Sequence, residues 1–272
     1  MALGVAIAVG VVIGLSLGTL GGGGSILTVP ALVYLLGQTP QAATTGSLVV
    51  VGVSALIGAF GHHRSARVRW VLGLAFGAAG IAAGFLGTAL NRMVPADVLL
   101  LAFSGLVLVA AAGMVRNARS RARPLVPAGG RGAPAAPVDG APDGRWSWGR
   151  AGAVLGAGLL VGFLTGFFGV GGGFVIVPAL TLALGLAMPE AVATSLVVIA
   201  INSGAALLFR AGATQVDWAL VLPLTAAAVA GSLAGKKLAD RVPAAVLSRS
   251  FAVLLVAVGL YTAGTSIAAL AL

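Results

Sequence analysis

The chain of 272 residues is 59% hydrophobic and only 8% charged, with a net charge of +10 and a mean hydropathy of +1.10. A soluble globule carries roughly a quarter of its residues charged, so sixteen basic and six acidic residues cannot hold water around a 26.5 kDa particle, and the solvent must be lipid. The basic residues fall in short gaps between apolar runs, as in membrane proteins; no basic face with interleaved aromatics marks a nucleic-acid binder, and the lack of cysteine excludes disulfides and thiolate metal sites.

In chain order, five apolar stretches come first, at roughly 2–20, 25–36, 42–60, 70–90 and 97–115. The start, Met1-Ala2-Leu3-Gly4-Val5, has no positive n-region, so the first stretch is expected to stay as a membrane segment. A segment of different character follows, with Arg119, Arg121, Arg123, Pro124, Pro127, Pro134, Pro137 and Pro142. Such a composition cannot bury enough apolar area to offset its ordering entropy, which predicts a flexible linker. Five more apolar stretches occupy roughly 151–168, 173–185, 190–209, 216–235 and 244–270. The predicted division is a first transmembrane repeat over 1–115, a linker over 116–149 and a second repeat over 150–272.

The halves are copies of one another. An offset of 148 positions lays Val29-Pro30-Ala31-Leu32 on Val177-Pro178-Ala179-Leu180 and Ser47-Leu48-Val49-Val50 on Ser195-Leu196-Val197-Val198 without a gap. Shared Ala, Gly, Leu and Val could match by chance, but Trp70 with Trp218 and Pro95 with Pro243 could not.

A full span takes about 20 residues, so the second stretch of each half is too short to cross untilted. Glycines precede it in both copies, Gly21-Gly22-Gly23-Gly24 and Gly169-Val170-Gly171-Gly172-Gly173. That pairing predicts a broken or re-entrant helix. Either form gives each half an odd number of net crossings, so tandem copies sit upside down relative to each other. Charge agrees: Arg64, Arg67 and Arg69, the seven arginines from Arg116 to Arg150, and Lys236, Lys237, Arg241 and Arg249 all fall on one side, expected to be cytoplasmic, with both termini outside.

A helix that starts inside the membrane has unpartnered N–H groups and the positive end of its dipole. An oxyanion satisfies both, and glycine lets it come close. Gly21, Gly22, Gly23, Gly24 and Ser25, with Gly169, Gly171, Gly172 and Gly173, are therefore candidate substrate-binding residues. Thr44, Thr45 and Ser47 on the third stretch, and Thr194, Ser195 and Asn202 on its copy, add neutral polar groups. Packing competes with this reading. Gly10-x-x-x-Gly14-x-x-x-Gly18 and its copy at Gly158, Gly162 and Gly166 are helix-contact patterns as written, and membrane hydroxyls often bond the preceding turn.

His62 and His63 beside Arg64 read as interfacial anchors, and Glu190 as a carboxylate complementing a helix start. No acidic residue falls inside a confident span, and no nucleophile–base pair, phosphate loop or metal-ligand cluster is visible, so an enzyme is not expected.

Together these residues resemble the TauE/SafE family of sulfite exporters. The resemblance lies in Gly18-x-x-Gly21-Gly22-Gly23-Gly24 followed by Val29-Pro30-Ala31-Leu32, in its copy from Gly166 to Leu180, and in the paired Ala-Thr-Thr-Gly-Ser47 and Ala-Thr194-Ser195 segments. It implies a bacterial inner-membrane secondary carrier for a small anion such as sulfite or an organosulfonate, with the glycine elements near the transport path. The expectation is an all-α polytopic membrane protein of two inverted repeats, working by alternating access without a cofactor. Its partners would be the anion, membrane lipid and a coupling proton or sodium ion. A passive anion channel and a non-transporting scaffold are the alternatives.

Overall fold

The computed structural model describes residues 2–63, 67–91, 93–94, 96–122, 148–168, 173–210 and 216–270. Every regular element among them is helical. The first half forms α1 (Ala2–Leu20), α2 (Gly23–Pro30) running into a π-helical turn (Ala31–Leu35), α3 (Pro40–His63), α4 (Trp70–Asn91) and α5 (Ala96–Ala122). The second forms α6 (Trp148–Phe168), α7 (Gly173–Leu182), α8 (Met188–Arg210), α9 (Trp218–Ala239) and α10 (Ala244–Leu270). Among the described residues, seven helices are long and apolar enough to cross a membrane: α1, α3, α4, α6, α8, α9 and α10. The chain is a multi-pass helical membrane protein. Helical turns extend into the stretch 116–149 from both sides, through Ala122 and from Trp148.

The short second element of each half owes its length to its ends. Pro30 has no N–H to give to the turn before it, and the chain after it widens to π geometry over Ala31–Leu35. Pro178, its counterpart, leaves α7 in α geometry. Gly37 and Gly185 then stop the two elements in the same way, with φ of +65° and +69°. The residue after each glycine donates its N–H back over the cap, Gln38 to the Leu32 carbonyl and Leu186 to the Leu180 carbonyl, both at 3.0 Å. A side chain at Gly185 meets open space, so only backbone strain opposes it. Gly185→Ala is expected to cost about 1–2 kcal/mol, read as a lower melting temperature in detergent.

Apolar side chains do not drive membrane helices together, so association depends on close approach through small residues. The largest interfaces are α1 with α9 and α4 with α6, so each half lays its first helix on the fourth helix of the other. The glycine positions fix the sense of each pairing. Gly10, Gly14 and Gly18 meet Leu224, Ala228 and Ser232 in turn, so α1 and α9 run in the same direction. Gly158, Gly162 and Gly166 meet Phe76, Gly80 and Gly84, and α4 and α6 also run together. The packing reading of these two glycine series is the one the structure shows. By contrast Gly52 meets Ser203 and Gly58 meets Leu196, so α3 and α8, which are counterparts in the two halves, run in opposite directions. The fifth helices also pair, with Ser104 and Thr262 joined through their hydroxyls at 2.9 Å. Large apolar side chains such as Val12, Phe85, Leu208 and Val253 face outward, as lipid contact requires.

One end of the bundle is tied by charge. Arg67 pairs with Asp240, Arg69 pairs with Glu190 at 3.2 Å, and the Lys236 ammonium donates to the Gly61 carbonyl. These contacts put Gly61, Arg67, Arg69, the start of α8 and the end of α9 at the same end. At the other end Gln38 donates to Asp217 at 3.4 Å.

Candidate functional site

The site begins where α1 stops. Gly21 donates its N–H to the Leu17 carbonyl at 2.8 Å, completing α1, and then takes a φ of +72° that a side chain would resist. The chain turns back, and α2 starts at Gly23 with Gly24 packed against the Ile13 carbonyl and Leu17. By the helical rise of 1.5 Å per residue, the element from Gly23 to Leu35 spans about 20 Å and α7 about 15 Å. Both are shorter than a hydrocarbon core of about 30 Å, so neither crosses it alone.

The two starts touch. A Cβ on Gly22 would overlap the backbone carbonyl of Gly173, and a Cβ on Gly173 would strike the Ser25 hydroxyl. Ser25 and Gly173 are 148 positions apart, so the counterparts meet each other. From the side, a Cβ on Gly21 would come within 2.5 Å of the Ser195 hydroxyl. Gly21, Gly22, Ser25, Gly173 and Ser195 thus form one cluster of backbone and hydroxyl groups, all neutral, and Ser25 and Ser195 are buried. Their hydroxyls donate to their own helices, Ser25 to the Gly22 carbonyl at 2.7 Å and Ser195 to the Val192 carbonyl at 2.8 Å. The oxygen lone pairs remain to accept, and donation to an anion requires the hydroxyl to rotate off its turn.

The other sequence candidates lie apart from this cluster or serve different contacts. Gly23 rests beside Leu254 and Leu20. Thr44, Thr45 and Ser47 are in the first two turns of α3, where Gly46 faces Val221 and Leu32, and Ser47 bonds the Thr44 carbonyl at 2.8 Å. Thr194 accepts the backbone N–H of Arg69 at 3.2 Å, near the arginine-bearing end. Asn202 lies beside Gly80, where α4 crosses α6, with its side-chain oxygen buried and without a hydrogen-bond partner among the described residues. Gly169, Gly171 and Gly172 lie outside the described residues, as do Arg64 and the side chains of His62 and His63.

Sequence reasoning passed over Ser54, which is fully buried with a hydroxyl that has no partner among the described residues. The signal was available, because Ser54 is the counterpart of Asn202 at the offset of 148. A groove of about 270 Å³ lies elsewhere, on the side of the α3–α8 crossing, lined by Gly52, Val53, Leu56, Ala200, Ile201, Gly204 and Leu207. Its wall is apolar, and Val53 and Leu56 are exposed. Such a surface suits lipid chains, not an anion, and the neutral polar cluster is the better candidate for chemistry.

The family model described as sulfite exporter TauE/SafE matches residues 6–262. The chain belongs to the TauE/SafE family. As a member of that family it is a membrane transporter. Relatives span almost its whole length. A probable membrane transporter protein of Xylella fastidiosa (strain Temecula1) is 31% identical over 269 residues, covering 98% of this chain and 97% of its own. A probable membrane transporter protein of Bacillus subtilis is 26% identical over 260 residues, covering 92% and 94%. No solved structure gives a significant match to this TauE/SafE chain.

Proposed function

We propose that the protein is a secondary carrier that moves a small oxyanion, sulfite or an organosulfonate, across the bacterial plasma membrane by alternating access. The observation that carries the reading is the contact of Gly22 with Gly173, where two short helices begin against each other. A helix start carries N–H groups and the positive end of a dipole, and two such starts brought together favour an anion without a fixed charge in lipid. The opposite directions of α3 and α8 support two inverted repeats, the arrangement that lets such a volume open to either side in turn. The gathering of Arg67, Arg69 and Lys236 at one end supports a cytoplasmic assignment for that end, with the termini outside.

The test is uptake into proteoliposomes of sulfite, thiosulfate, sulfoacetate, taurine and sulfate, with and without proton or sodium gradients. Saturable uptake with counterflow of one of the sulfur anions is expected. Flux that rises linearly with concentration and shows no counterflow would establish a channel instead. Within that assay, Ser195→Ala is expected to raise KM about fivefold, the worth of one hydrogen bond of about 1 kcal/mol, with the maximal rate nearly unchanged.

A further inference from the structure

We propose that Arg69 is a positioning residue of the transport site: it holds the arginine-bearing end shut, and the same contacts set Ser195 against the glycine break. This rests on the carrier reading above. Arg69 grips α8 twice. Its backbone N–H donates to the Thr194 hydroxyl, and its guanidinium pairs with the Glu190 carboxylate, both at 3.2 Å. Glu190 and Thr194 are four residues apart, so they lie on one face of the first turns of α8. Ser195, the next residue, points to the adjacent face, where its hydroxyl meets Gly21. One stiff helical segment therefore carries the loop on one side and the glycine break on the other. Withdrawing the 67–69 connection removes both grips and frees that segment to leave Gly21.

Among the described residues the two ends are fastened unequally. Arg67 with Asp240 and Lys236 with the Gly61 carbonyl reinforce the arginine-bearing end. At the opposite end the counterpart of Arg69 is Asp217, whose carboxylate accepts from the Gln38 amide at 3.4 Å, and the counterpart of Glu190 is Ala42, which cannot form an ion pair. The carrier at rest is closed at the arginine-bearing end and yields first at the Gln38–Asp217 end. The ion pairs are partly exposed, with side chains 29–42% accessible, so each is weak and sensitive to salt. That strength suits a latch which must release in every cycle.

The chain has no cysteine, so single cysteines report access without background. Val192→Cys places a thiol between the arginine-bearing end and Gly21, and Ala43→Cys places one at the opposite end; both positions are buried. Labelling by a membrane-impermeant maleimide is followed in proteoliposomes that are also assayed for anion uptake. Arg69→Gln or Glu190→Gln is expected to speed labelling of the Val192→Cys thiol about threefold, leave the Ala43→Cys thiol no faster, and raise KM more than it changes the maximal rate. The exchange Arg69→Glu with Glu190→Arg is expected to restore slow labelling. Raising KCl from about 0.05 M to about 1 M in the otherwise unaltered reporters is expected to act like neutralisation, since it screens the same pairs, and that arm needs no charge substitution to fold. Labelling unchanged by charge and by salt, with saturable uptake intact, overturns the latch. Absence of saturable uptake in the unaltered protein overturns the carrier reading instead.

Discussion

Gly22→Ala is expected to abolish saturable anion uptake, at least tenfold below the parent, while Gly23→Ala keeps most of it. The two glycines are neighbours in sequence and differ in what a methyl group meets. At Gly22 it meets the carbonyl oxygen and carbonyl carbon of Gly173 together with the amide nitrogen of Phe174, all backbone, and the two half-helix starts must part to admit it. At Gly23 it meets the end of the Leu254 side chain at 3.0 Å, which can rotate away. Overpacking of this kind costs about 1–3 kcal/mol, a loss a membrane bundle survives, so the variant should still be recovered folded. Uptake and melting temperature measured together separate the outcomes. Normal transport by a folded Gly22→Ala protein would remove the paired helix starts from the transport path.

The largest stability loss is expected from Gly14→Ala and Gly162→Ala combined. A Cβ on Gly14 would overlap the Ala228 carbonyl, and one on Gly162 the Gly80 backbone, at the two tightest crossings of the bundle. Each change should cost about 1–3 kcal/mol. The two crossings belong to different helix pairs with no shared partner, so the losses should add. Gly156→Ala is the control on the same helix as Gly162, because nothing lies within 4 Å of its added carbon. It should be neutral, or stabilising by up to about 1 kcal/mol through helix propensity. Melting temperatures in one detergent decide the matter, and equal behaviour of Gly156→Ala and Gly162→Ala would contradict the close crossing.

Much of the architecture was legible because it follows from period and spacing. Apolar runs of the right length mark the long helices, and the offset of 148 identifies which helix of one half is the counterpart of which in the other. The site was less legible, because a run of glycines has no side chains to distinguish its members. In Gly21-Gly22-Gly23-Gly24 the first turns the chain, the second touches the opposite half, and the fourth seats α2 against α1. Only the three-dimensional path separates these roles. Thr194 and Ser195 show the same limit: adjacent hydroxyls look alike in sequence, but one helical step of about 100° sends them to different partners. Arg69 read as one of several cytoplasmic positive charges. Its pairing with Glu190, 121 residues away, is a long-range contact that no local pattern encodes.

The crossed pairing of first and fourth helices governs how the molecule is assembled. α1 finds its main partner in α9, more than two hundred residues later, and α6 finds its own in α4. Neither half can complete its interior by itself. During synthesis the earliest helix to reach the bilayer waits, loosely held, until nearly the whole chain has followed. Severing the polypeptide between Ala122 and Trp148 leaves two fragments that each lack what the other carries, so they should reunite when made together and fail when made alone.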